Sequence, residues 1–185
     1  MISTELQRTA KEESHSMKLV LNFVRLILLS LWLGATLFFG AVVAPSAFAV
    51  LRSFELSNAS EIAGSIVTRC LSVVNIAGFI LGLSLLLSVF VCTKSTRWRF
   101  LLELLSASII VLATGVGHWV IATRMHALRV AMSLPVDQVR PDDPRRIEFN
   151  RLHGYSVNTL GLAMIAAVLM LILISGRIKK ITTEG

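Results

Sequence analysis

The chain has 185 residues, 55% of them hydrophobic, with a mean hydropathy of +0.75 and a formal net charge of +7. A soluble domain of this size encloses only about 70% of the surface of its unfolded chain, so such apolar content excludes a water-soluble globule and requires a bilayer. The charge does not indicate nucleic acid either, because the basic residues lie at the ends of apolar runs and in connecting segments, where they meet lipid headgroups.

Residues 1–17 read as a polar amino-terminal tail of mixed charge, with His15 in solvent. The first apolar run follows over residues 19–43. It meets the ~20 residues that a helix needs to cross the hydrocarbon core. The small residues from Ala44 to Ala49 imitate a signal-peptide cleavage site. The run is nevertheless longer than the roughly 7–15 residues of a signal core, so an uncleaved span is expected. Runs over residues 66–92, 100–122 and 155–174 supply three more spans. The expected fold is all-α: an integral membrane four-helix bundle over residues 18–176, followed by a basic carboxy-terminal tail over 177–185.

Cys70 and Cys92 stand 22 residues apart on the second span, about 33 Å along a helix, too far for a disulfide. Both read as packing residues. Gly78 and Gly82 form a GxxxG step, whose spacing fits self-association and packing within one chain equally well. Trp32 lies in mid-span, where its ring is expected to pack against a neighbouring helix.

The link between the second and third spans carries Lys94, Arg97 and Arg99 without an acid, whereas Arg52 in the first link is offset by Glu55 and Glu61. The positive-inside rule then places both termini in the cytoplasm, in agreement with Lys18, Arg25, Arg177, Lys179 and Lys180. A bacterial inner membrane fits this arrangement. The long link over residues 123–154 holds six arginines on the opposite side, diluted by Asp137, Asp142, Asp143 and Glu148. Pro135 stops a helical continuation of the third span. Pro141-Asp142-Asp143-Pro144 reads as a turn into an additional short helix, with Asp143 as N-cap and Pro144 at its first position. That helix puts Phe149 and His153 on one face as it enters the fourth span.

Charged residues inside spans are costly, so each invites two readings. Arg25 and Glu103 lie at similar depth near the cytoplasmic end, where they either pair or snorkel separately to the headgroups. At the opposite end lie Arg69, Cys70, Asn75, His118, His126, His153, Tyr155 and Asn158. His118, His126 and His153 are the candidate metal ligands, and His118 and His153 the candidates for holding haem. No ligand spacing supports either, and no CxxC, zinc pattern or Walker-type loop occurs. The competing reading is that His118 and Asn158 satisfy each other between helices while His153 caps a helix junction.

The segment from Trp32 through Gly34 and Phe38 to Ala44 and Pro45, together with Phe149, His153 and Ser156 at the entry to the last span, resembles the TMEM-205-like family (domain of unknown function 4149). The resemblance spreads over nearly the whole chain after the tail. It implies a multi-pass membrane protein and brings no catalytic residue and no cofactor.

The expected function is therefore a non-enzymatic role in interaction or envelope maintenance. The partners are the bilayer and a membrane protein or a second copy of the chain, with no nucleic acid. The alternatives are a haem- or copper-handling protein using the histidines, and a small transporter.

Overall fold

The computed structural model describes residues 2–92 and 96–184, with side chains described from residue 16 to 90, from 96 to 178 and at Glu13. The readings on His15, Cys92, Lys94, Lys179 and Lys180 fall outside those side chains. Six α-helices account for nearly all of it: α1 (Ile2–Phe38), α2 (Ala44–Ser53), α3 (Ala59–Cys92), α4 (Arg97–Gly115), α5 (Thr123–Met132) and α6 (Pro144–Glu184). Two π-helical segments, Phe39–Val43 and Val116–Ala122, join α1 to α2 and α4 to α5 without breaking the rod. Four continuous helices long and apolar enough to cross a membrane result, over Ser16–Ser53, Ala59–Phe90, Arg97–Met132 and Pro144–Ile178.

The first π segment has a local cause. Pro45 lacks an N–H, and its ring would collide with the carbonyl four residues back in a regular α-helix. Widening the preceding turn removes that conflict: the Ala44 N–H bonds to the Phe39 carbonyl, five residues back, and Pro45 then opens α2. Pro45 thus redirects the first span without ending it. The third span ends further on, where Ser133 adopts a left-handed conformation (φ 55°) after Met132 and Pro135 follows. The expected Asp143 cap is present, its Oδ1 accepting from the Arg145 N–H at 2.8 Å. The helix it starts does not stop before the fourth span but is continuous with it as α6.

Packing divides the bundle into two halves, here named the terminal end, where both termini lie, and the loop end. In the terminal half Leu29 and Trp32 of α1 meet Leu81, Leu85 and Val89 of α3, Ala107 and Ile110 of α4, and Ala163, Ala167, Met170 and Ile174 of α6. The Trp32 indole N–H donates to the Val74 carbonyl at 3.0 Å, which satisfies its polar edge in the interior. The GxxxG step serves this packing. A Cβ at Gly78 would fall 2.7 Å from Trp32 Cζ2, and one at Gly82 2.8 Å from Val111 Cγ2, so both glycines are used inside the chain. In the loop half α2 leans on α3 while α5 leans on α6. A smaller apolar cluster of Leu128, Met132, Val139 and Phe149 fastens the second pair. Between the two pairs the bundle stays open.

Glu103 organises the terminal end. Its carboxylate accepts from Arg25 Nη2 at 3.3 Å and from Arg177 Nη2 at 2.5 Å, tying α4 to α1 and α6. Asn22 adds a bond from Arg25 Nη1 to its Oδ1 at 3.1 Å. Of the two sequence readings for Arg25 and Glu103, pairing holds, and Arg177 joins them from what the sequence suggested was the tail.

Candidate functional site

The opening in the loop half is a cavity of about 910 Å³. That is the upper part of the range in which small molecules bind, ~300–1,000 Å³. It extends from Arg52, Glu61, Asp137 and Arg146 at the mouth to Thr36, Asn75, Gly161 and Met164 at mid-bundle. Its walls come from all four spans, and three local features shape it. Beyond the π turn and Pro45, α2 packs on α3 and not on α6. Gly40 and Gly161 leave open space, for a Cβ at either meets nothing within 4 Å. The segment after α5 closes over the mouth, pinned to the turn following α2 by Gln138 Nε2 donating to the Ser57 carbonyl at 2.7 Å.

Most of the surface is apolar, and four of its polar groups are satisfied within the protein. The Thr36 hydroxyl donates to the Trp32 carbonyl at 2.7 Å and the Thr68 hydroxyl to the Gly64 carbonyl at 2.6 Å, each bonding back to its own helix. Ser72 Oγ lies 3.3 Å from His118 Nδ1. Arg146 donates to the carbonyls of Val139 and Asp137. Two groups differ. Asn75 is 3% exposed, lies against Gly117, and its amide has no hydrogen-bond partner among the described residues. Arg129 is half-buried, its guanidinium stacked 5.3 Å from the centre of the Phe149 ring. It makes no hydrogen bond and no ion pair within 4 Å among the described residues. A Cβ at Gly64 would fall 2.7 Å from its Nη2, so the glycine on α3 provides the space for it.

Of the residues singled out in the sequence, Asn75, His126, His153, Ser156, Phe149, Ala44 and Pro45 share this cavity. Trp32 belongs to the packed core, while Gly34 and Phe38 lie on the outside of α1. Arg69, Tyr155 and Asn158 are exposed and outside the cavity wall, as is half-buried Cys70. Two expectations are corrected. His118 bonds Ser72 of α3 and stacks edge-on against Trp119, so it does not satisfy Asn158, which faces away on α6. His153 caps no junction, because α6 passes through it unbroken and its backbone has no free end there to cap. The three histidines do not converge, and among the described residues no group of three His, Cys, Asp or Glu side chains is placed to hold a metal.

Arg129, Arg146, Glu61 and Asp137 were missed as a set because each sits among other charges in a connecting segment. A usable signal was Gly64, a side-chain-free position one turn into an amphipathic helix start, which implies a bulky neighbour.

These features define a four-span integral membrane bundle, packed at the terminal end and hollow at the loop end. Residues 27–133 match the family described as domain of unknown function (DUF4149), and the chain belongs to that family. The matched stretch takes in both π segments and three walls of the cavity. No curated protein and no solved structure matches the chain.

Proposed function

We propose that this is a non-enzymatic membrane protein that binds an amphipathic molecule from the bilayer in its loop-end cavity. The loop end faces away from the cytoplasm of a bacterial inner membrane, and the kinship is to TMEM-205-like proteins. The single observation that carries the reading is the cavity itself: an apolar chamber at membrane depth with a charged mouth and an unpartnered amide at its floor. Leu37 and Val157, which line it on α1 and α6, are 51% and 58% exposed, so an alkyl chain enters without leaving apolar surroundings. An interaction or envelope role follows from holding such a molecule where other membrane proteins meet it.

The haem or copper alternative draws on His126 and His153, which share the cavity. Optical spectra and metal analysis of the protein in mild detergent test it, and a colourless, metal-free preparation overturns it. The transporter alternative draws on the same chamber being open at one end and sealed by core packing at the other.

The test of the binding reading uses Gly161→Phe, which places a ring in the chamber from a position with no contact to break. A pyrene-labelled long-chain alcohol should bind the wild-type protein, read by energy transfer from tryptophan. The variant should retain its thermal midpoint and lose most of that transfer. Equal transfer in both proteins overturns the reading.

A further inference from the structure

We infer that the cavity selects an anionic amphiphile of the membrane, one with a phosphate or carboxylate head, and that Arg129 binds that head. This rests on the binding reading above and specifies its ligand.

Arg52, Arg129 and Arg146 line the cavity against Glu61 and Asp137, with His126 and His153 beside them. The two acids are exposed at the mouth, where Arg146 is half-buried beside them, and Arg129 is half-buried as well. Arg146 directs one nitrogen, Nη1, to the carbonyls of Asp137 and Val139, which ties it to the covering segment. Arg52 is exposed and stacks near the Phe48 ring at 5.8 Å. Arg129 alone among these three presents a guanidinium in the chamber that is fixed in position yet has no acceptor among the described residues. Phe149 holds one face of it, and the space at Gly64 admits its tip.

A guanidinium always carries its charge and offers donors in a planar fork that matches the two oxygens of a phosphate or carboxylate. Glu61 at the mouth acts on the Arg129 guanidinium only through space, without a contact within 4 Å. Leaving it half-desolvated without an acceptor is unfavourable, and an acidic head supplies the acceptor together with a charge in direct contact. Below it the wall turns apolar, through Val157, Leu160 and Met164 of α6 and Leu37 of α1, which suits an alkyl chain. Asn75 at the floor and the buried Ser156 hydroxyl on α6 are polar groups still to be met, sites for a second polar atom of the ligand, such as an ester or hydroxyl oxygen. Free inorganic phosphate would use the arginine and leave the apolar chamber unfilled, so the membrane lipid is the favoured source.

The full chain in neutral detergent should be titrated with hexadecyl phosphate, hexadecanoate, hexadecanol and inorganic phosphate, each competing against the pyrene-labelled alcohol. The acidic amphiphiles should compete at least about tenfold better than hexadecanol, as a charge-assisted hydrogen bond implies. Inorganic phosphate should not compete at matching concentrations. Arg129→Gln should bring the acidic amphiphiles level with hexadecanol and leave the alcohol unaffected, while Arg129→Lys should recover part of the preference. Should Arg129→Gln fail to fold, the wild-type preference and the Arg129→Lys decline decide the matter. Equal competition by all three long-chain compounds overturns the anionic assignment and leaves the binding reading standing. Competition by inorganic phosphate alone overturns the lipid as source. Failure of the labelled alcohol to bind the wild-type protein overturns the parent reading instead.

Discussion

Glu103 and Arg177, 74 positions apart in the chain, are joined at 2.5 Å between Oε1 and Nη2, while the other oxygen of the same carboxylate meets Arg25 at 3.3 Å. One buried acid therefore compensates two guanidinium groups. Glu103→Gln removes the carboxylate charge that both arginines share, in a site that is 1% exposed at the glutamate. Removing one partner of a buried pair costs about 3–5 kcal/mol. Chemical unfolding in detergent should show a loss of that order. Arg177→Gln should cost less, because Arg177 is 11% exposed and the Arg25 pair survives it. The triple replacement Arg25→Met, Glu103→Met and Arg177→Met, which removes the whole cluster, should recover much of the Glu103→Gln loss. A Glu103→Gln protein as stable as wild type would mean that the cluster does not hold the helices together.

Gly78 and Gly161 are both helix-interior glycines, and alanine at each should move stability in opposite directions. At Gly78 the new methyl meets Trp32 Cζ2 at 2.7 Å and Thr114 Cγ2 at 2.8 Å, a clash with packed core on two helices. Overpacking of this kind costs about 1–3 kcal/mol. At Gly161 the methyl enters open space, so the gain is the helix preference of alanine over glycine, up to ~1 kcal/mol. Thermal midpoints of the two variants in the same detergent check the sign. A stabilised Gly78→Ala protein would contradict the helix approach described for Trp32.

Trp32→Phe removes the indole hydrogen bond together with the part of the ring packed on Gly78. The ring stays apolar and aromatic but the Val74 carbonyl loses its side-chain donor. The net value of such a bond is about 1 kcal/mol. Unfolding should report a loss above that figure, because the smaller ring also leaves a cavity beside Gly78. A loss several times larger would show that the missing ring volume, not the hydrogen bond, dominates.

The spans, the Pro135 stop and the Asp143–Pro144 start were legible because each depends on local physics: length against bilayer thickness, a missing N–H, a side chain that caps its own helix. The pairing of Arg25 with Glu103 was half legible, since similar depth permits contact without requiring it. Arg177 was not, because a basic residue just past a span reads as a headgroup contact until the register of α6 against α4 is known. The cavity left even less trace. Concavity is a property of how the helices around it pack, and although Pro45 accounts for the π turn before it, a proline does not say against which helix the next one will lean. His153 drew attention for its chemistry and does line the chamber, whereas His118, equally conspicuous in sequence, turns to Ser72. Arg129 looked like one of six loop arginines, and only the space left by Gly64 and the ring of Phe149 set it apart.

Asp143 gives the loop end an acid-sensitive fastening. Its carboxylate accepts from the Arg145 backbone N–H at 2.8 Å and from the Arg145 guanidinium at 2.7 and 3.1 Å. Those bonds, led by the Arg145 side chain, hold its pKa down to about 2 against an ordinary 3.8. A carboxylate whose folded pKa is depressed contributes stability that is complete above the unfolded value and is lost as pH falls through the folded one. The start of α6 should accordingly be firm at neutral pH and loosen between about pH 4 and pH 2. Arg145 Nη1 also donates to the Ala131 carbonyl at 2.7 Å, so loosening there releases the end of α5 as well. Hydrogen exchange of the peptide spanning residues 140–150, compared at pH values across this window after correction for intrinsic rates, should show the change in wild type. Asp143→Ala should exchange as the acid form does at every pH. A wild-type segment whose corrected protection is flat across the window would show that α6 is started by Pro144 and tertiary packing, with Asp143 contributing nothing measurable.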